Sequence, residues 1–293
     1  MQSQPPTNPI YHSNSSIPSS TPWLIYIQPN SGYAQGYSQG YAQPNLGYAQ
    51  ANANPSVSAK MRLFCFPFAG GGASAFRSWA AELAPMIELV CVQLPGRENR
   101  MGEAPITHLP HIIEQLKPAI LPHLSVPYAF FGHSMGALIA FELVRSLRQT
   151  QHPLPLHLFI SACGAPQLPR HDPPRHTLAE PALRAELHRL KGTPTQVLNN
   201  NELMELLLPT IRADFSVVDT YAYQEQPSLT VPITVFGGED DPEVSLEELT
   251  AWKTQATSDV AAHLFSGDHF FIQKVRSIIL QVILATLLAA KDA

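Results

Sequence analysis

Charge is missing from the start of this chain: no Lys, Arg, Asp or Glu precedes Lys60, so all 18 basic and 23 acidic residues lie from that position onward. A basic excess is missing as well. The net charge of −5 and pI near 6.2 exclude the cationic face that nucleic acid or an anionic membrane would require, so neither is an expected partner. Cysteine is scarce, and Cys65, Cys91 and Cys163 lack C-x-x-C spacing and sit in apolar runs. That excludes a disulfide framework and fits reduced core residues of a cytoplasmic protein. Long apolar runs are absent too. The longest, "SIILQVILATLLAA", is shorter than a bilayer span and contains Gln281, and no positively charged, then apolar, leader opens the chain.

Two unlike parts follow from these absences. Residues 1–59 are Pro, Ser, Asn, Gln, Gly and Tyr, with "GYAQ" at 32, 40 and 47 and "GYSQ" at 36. So little aliphatic surface cannot offset the entropy of ordering a backbone, and a disordered tether is expected. From Lys60 to residue 293, short β-branched and aromatic runs alternate with amphipathic ones. "RLFCF" (62–66), "IELVCVQ" (87–93), "YAFFG" (128–132), "LHLFISA" (156–162), "PITVFGG" (232–238) and "AAHLFSG" (261–267) read as strands. Helical patterns cover 74–84, 109–121, 136–149, 246–255 and 270–290. Near-continuous apolar strands alternating with helices predict an α/β, doubly wound, mostly parallel sheet. The rhythm breaks once: residues 166–228 carry helical patterns without a strand, too long for a loop, and so predict a helical subdomain above the carboxyl edge of the sheet.

Chemistry concentrates at three strand ends. "GHSMG" lies between a strand and a helix, the setting of a nucleophile elbow that lifts the Ser134 hydroxyl above the sheet. A serine needs a base and an acid to orient that base, and in such sheets they follow in the order Ser, Asp or Glu, His. "FGGEDDPEV" offers Asp240 and Asp241 after one strand, and "SGDHFF" offers His269 after the next. Asp241 is preferred because Pro242 follows it and stiffens the loop. An oxyanion needs two backbone N–H donors. Met135 follows the nucleophile, and Ala69 lies in the glycine-rich "FPFAGGGAS" after the first strand. That loop has neither G-K-[ST] nor G-x-G-x-x-G, which excludes the usual phosphate cradles. His133 reads as structural and Asp268 as a turn residue. "HLPH" (108–111) and "RHDPPRH" (170–176) lack metal-ligand spacing. Arg170, Arg175, Arg184, Arg189 and Lys191 give the insertion a mild positive bias, read as a solvated face or a docking surface for an acidic partner.

"RLFCFPFAGGGAS", "QLPGRENR", "FFGHSMGALIAFELVR", "GTPTQVLNNNELMELLLPTIRADF", "VPITVFGGEDDPEVS" and "SGDHFFI" together resemble the motifs of type II thioesterases, the stand-alone editing enzymes of nonribosomal peptide and polyketide synthetases. The resemblance runs from Lys60 to the C-terminal helix. It implies an α/β-hydrolase fold, a Ser134–Asp241–His269 triad, and a helical lid over an acyl site. It further implies hydrolysis of stalled or aberrant acyl and aminoacyl thioesters on phosphopantetheinyl carrier proteins, by a monomer needing neither metal nor cofactor. A carboxylesterase or lipase with the same triad, and a silent carrier-binding module, are the alternatives. The N-terminus departs from the family. "TPWLIYIQPN" (21–30) and "NPSVSAKMRLFCFP" (54–67) look like halves of one leading segment parted by the Gly-Tyr repeat, against the rival that translation starts at Met61.

Overall fold

The computed structural model describes residues 21–29, 61–169 and 173–292. Its strands are β1 (Leu24–Ile27), β2 (Met61–Phe66), β3 (Ile87–Val92), β4 (Tyr128–His133), β5 (Leu158–Ser161), β6 (Ile233–Gly238) and β7 (Ala261–Phe265). Its helices are α1 (Ala80–Leu83), α2 (Leu109–Ile120), α3 (Met135–Gln149), α4 (Glu180–Leu190), α5 (Thr195–Leu198), α6 (Asn201–Asp219), α7 (Leu246–Thr250) and α8 (Arg276–Asp292). The strands form one sheet in the order β1-β3-β2-β4-β5-β6-β7, with β1 antiparallel and every other neighbour parallel.

Every residue of β2 through β6 is buried, because helices cover both faces. On one face Phe64, Phe66 and Phe130 pack with Ile112 and Leu116 of α2 and Leu138 and Phe141 of α3. On the other, Phe131, Phe159 and Phe236 pack with Trp79, Leu83 of α1 and Ile279, Ile283 and Leu287 of α8. The chain runs outward from β2 to β3, then returns to place β4 on the other side of β2. A crevice opens at such a reversal, above the carboxyl ends of β2 and β4, and the loop after β2 and the turn after β4 both face it.

Between β5 and β6 the insertion is helical, as its pattern predicts. Met204, Leu208, Ile211 and Phe215 of α6 recur at helical spacing and close on Leu183 and Leu187 of α4 and on Val197 and Leu198 of α5. This small core is packed against Ala69 of the loop after β2, which seats the insertion over the crevice.

The expectation of a disordered tether across 1–59 fails at 21–29. Leu24–Ile27 pairs antiparallel with Leu89–Val92 and forms the sheet edge. Trp23, Leu24 and Ile27 are buried, the Arg100 guanidinium lies 4.4 Å from the Trp23 ring centroid, and the Tyr26 hydroxyl hydrogen-bonds with His123 Nδ1 at 2.5 Å. Averaging over a long polar stretch hides five residues, "WLIYI", that are apolar enough to cover an otherwise open edge. Their pairing ties this stretch of the chain before Met61 to the sheet. The Gly-Tyr repeat and the other residues of 1–20 and 30–60 lie outside the described residues.

Candidate active site

Ser134 alone makes the turn from β4 to α3, with φ 54° and ψ −118°. A non-glycine residue held there stores about 1–3 kcal/mol of strain, so its surroundings must enforce it. The Ser134 amide donates to Ser161 O at 2.8 Å, and Ser134 O accepts from the Ala137 amide at 2.9 Å. The flanking glycines supply space rather than unusual torsions. A Cβ on Gly132 would lie 2.5 Å from Ala137 N, and one on Gly136 would lie 2.1 Å from Phe66 O. Only without those side chains does α3 start hard against β2 and β4, which leaves the serine hydroxyl at the rim.

His269 follows β7, and its Nε2 lies 3.0 Å from Ser134 Oγ. Its Nδ1 lies 2.9 and 3.1 Å from the two Asp241 carboxylate oxygens. With Nδ1–H donating to Asp241, Nε2 is left to accept the serine proton. Asp241 Oδ1 also accepts from the Glu243 amide at 2.8 Å, and the carboxylate is fully buried. Asp240 is exposed, and its amide donates to Gly267 O. Asp241 is thus the acid that the structure brings to His269.

The two amides expected to face an oxyanion come from the turn after β4 and the loop after β2. The Met135 amide opens α3, where no intrahelical acceptor exists. The Ala69 amide lies in the loop after β2, where Gly70 adopts φ 77° and the Gly71 amide donates to Phe68 O at 2.9 Å. Neither amide hydrogen-bonds to another group among the described residues. A hydroxyl, an imidazole, a buried carboxylate and two spare amides at one crevice are the parts of a nucleophilic acyl-transfer site.

Other histidines take structural places. His133 is fully buried, its Nδ1 hydrogen-bonds with Ser161 Oγ at 2.9 Å, and its ring centroid is 5.5 Å from that of His269. Burial holds its pKa well below the ordinary value, so it packs as a neutral ring beneath the base. His176 pairs with Asp219 at 2.8 Å, and His108 and His111 lie ring to ring on the surface. Among the described residues no cluster of His, Cys, Asp or Glu is arranged to hold a metal ion. The positive bias of the insertion is largely cancelled by carboxylates of the insertion and of the loop after β6. Arg175 and Arg189 both pair with Glu186 and Glu243, Arg184 pairs with Glu180, and Arg170 lies outside the described residues. Asp268 is half-buried and caps its own turn by accepting from the Phe270 amide at 3.1 Å.

Sequence reasoning missed one pair. Asp214 of α6 and Arg97, after β3, form a buried bidentate ion pair at 2.7 and 2.8 Å, and Asp214 also accepts from the Gly70 amide. Its signal was an acid on the buried stripe of α6, between Ile211 and Phe215.

Comparison with known proteins agrees with this geometry. The thioesterase domain family model matches residues 61–287. The gramicidin S biosynthesis protein GrsT of Aneurinibacillus migulanus is 47% identical over 221 residues, spanning 75% of this chain and 86% of GrsT. Among solved structures, the type II thioesterase BorB from the borrelidin biosynthetic cluster is 34% identical with a TM-score of 0.76, covering 92% of this chain and 99% of BorB. The thioesterase RedJ from the prodiginine biosynthetic pathway in Streptomyces coelicolor is 36% identical with a TM-score of 0.74, covering 78% of this chain and 91% of RedJ. Helices over a mostly parallel sheet, with Ser134 on a strained elbow, thus belong to a chain that is a member of the thioesterase domain family, an α/β-hydrolase of the type II thioesterase kind.

Proposed function

We propose that this enzyme hydrolyses stalled or aberrant acyl and aminoacyl thioesters on the phosphopantetheine arms of carrier-protein domains in a nonribosomal peptide or polyketide synthetase. Ser134 attacks the thioester carbonyl while His269 takes its proton. The Ala69 and Met135 amides receive the oxyanion, and collapse expels the pantetheine sulfur, protonated by His269, leaving an acyl-serine. Water then attacks, again giving its proton to His269, and the free acid leaves as the serine recovers that proton. Asp241 holds the imidazole tautomer and balances its positive form. The step consumes water alone, so no metal or diffusible cofactor enters it.

The observation that carries this reading is the Asp241–His269–Ser134 chain of hydrogen bonds, ending on a hydroxyl beneath a helical insertion. Selectivity then falls to the insertion and to carrier docking, since a thioester is reactive enough that the triad discriminates little. We place the reaction in the cytoplasm, carried out by a monomer. No helix among the described residues is long and apolar enough to cross a membrane, and the three cysteines are buried and unbridged.

The test is release of acetate from an acetyl-phosphopantetheinyl carrier protein, followed by mass spectrometry, with wild type beside Ser134→Ala. Release by wild type alone is expected. Release by both would remove Ser134 as nucleophile, and a strong preference for a simple oxygen ester over the carrier would turn the reading toward a carboxylesterase.

A further inference from the structure

We infer that Asp214, held by Arg97, is a positioning residue for the oxyanion hole: it sets the conformation of the glycine loop and couples that loop to the helical lid. The inference rests on the acyl-transfer reading above. It starts from a mechanical difficulty. Residues 70–72 are all glycine, so no side chain there packs the loop in place, and Gly70 is at a positive φ. Such a segment has the largest choice of backbone conformations, yet a catalytic amide must point at one spot. Something outside the loop must choose.

The ion pair makes that choice at several peptide groups. Asp214 Oδ2 accepts from the Gly70 amide at 2.7 Å, which fixes the peptide plane between Ala69 and Gly70. Arg97 Nη1 donates to Gly71 O at 2.9 Å and to Asp214 Oδ2 at 2.7 Å, and its Nη2 donates to Asp214 Oδ1 at 2.8 Å. The Gly71 amide in turn holds Phe68 O at 2.9 Å. In a trans peptide the N–H points opposite to the C=O, so anchoring Phe68 O inside the turn drives the Ala69 N–H outward, away from the turn. One guanidinium–carboxylate unit therefore grips the loop at Gly70 and Gly71, directly after its spare donor, and through the Gly71 amide reaches back to Phe68 O.

Burial makes the unit rigid. Arg97 is 4% and Asp214 1% exposed, so neither relaxes toward water. Asp214 lies on α6, and Thr210 of the same helix donates its hydroxyl to Gly96 O, next to Arg97. The lid helix, the loop after β3 and the oxyanion loop are thus one hydrogen-bonded body, and displacement of α6 would move the Ala69 donor with it.

A purely structural tie would alter stability or substrate binding. A positioning role alters stabilisation of the tetrahedral state alone, and the two separate in kinetics. Wild type, Asp214→Asn, and the volume-keeping double variant Arg97→Met/Asp214→Leu, which avoids a stranded buried charge, are compared with a short acyl thioester of N-acetylcysteamine. Affinity for an alkyl boronic acid, which forms a tetrahedral anion on the serine, is measured alongside. The expected result is a kcat lower by about 10- to 100-fold in both variants, with KM changed by less than about 3-fold. Boronate affinity falls by a factor similar to that for kcat/KM, and the pH at which the acidic limb of kcat turns over does not move. A folded variant with kcat within about 2-fold of wild type overturns the inference, as does a loss confined to KM with boronate affinity retained. Failure of both variants to fold assigns the pair to stability and overturns it equally. A wild type that ignores thioesters refutes the proposed reaction instead, and boronate binding still decides the role of Asp214.

Discussion

Two of the ion-pair fastenings between the helical insertion and the loops of the sheet differ in kind. On the oxyanion side, Arg97 and Asp214 meet in full burial. On the acid side, Arg175 and Arg189 reach Glu186 and Glu243 near the surface, with the Arg189 side chain 45% exposed. Glu243 lies two residues beyond Asp241, so this second fastening ends on the loop that carries the acid of the triad. A buried pair is poor at adding net stability but holds geometry, because breaking it strands a charge. A network that reaches solvent only at Arg189 is screened there by salt, so it tunes how the lid sits without dictating where a donor points. The lesson is that residues of one chemical class, on one insertion, do different work according to their distance from solvent.

Ser134→Ala sets the upper bound against which both fastenings are judged. It should lower kcat by about 10⁴-fold or more while leaving the fold unchanged, measured by single-turnover acyl release. Asp214→Asn should follow at about 10- to 100-fold in kcat. Glu243→Gln should cost only about 2- to 5-fold, largely in KM. Its effect should shrink as sodium chloride rises to about 0.5 M, where screening has already weakened the wild-type network. Steady-state kinetics at low and high salt check this. If Glu243→Gln matched Asp214→Asn in size and ignored salt, the distinction between the two fastenings would collapse.

The smallest effect concerns the sheet body rather than the lid. Burial lowers the pKa of His123 and His157 to about 4 and holds that of His133 well below the ordinary value of 6.5. Unfolding exposes these rings, so the unfolded chain binds protons that the folded chain refuses. The stability they support is complete above pH 6.5 and drains away as pH falls toward 4. The melting temperature should hold steady from pH 8 to about 7 and drop by several degrees by about pH 5. A flat profile across that range would show that these rings are not held neutral.

Much of this was legible beforehand because it is local. The runs read as strands correspond to β2 through β7, and the helical pattern across 166–228 appears as α4, α5 and α6. The order Ser134, Asp241, His269 at the ends of three strands was readable because each motif sits within a few residues of its own strand, β4, β6 and β7. The edge strand β1 was not, since its four residues are diluted in a polar segment and become a strand only when β3 offers an open edge. Nor does the sequence show what the glycines at 132 and 136 are for: they leave room for Ala137 of α3 to lie against β4 and for Gly136 to lie against Phe66 of β2.

What the sequence determined by itself, then, is periodicity and spacing: an alternating α/β chain, an elbow at Ser134, and a helical insertion before β6. Those follow from interactions among residues near in the chain, where backbone geometry dictates who meets whom. Tertiary structure alone decided which charges are spent and which peptide groups are aimed. Arg97 and Asp214 are 117 residues apart in sequence, and Arg175 and Glu243 are 68 apart. The strength of a charge pair depends on its separation and on the water around it, and for residues so distant along the chain both are set only when the sheet and its lid close on one another.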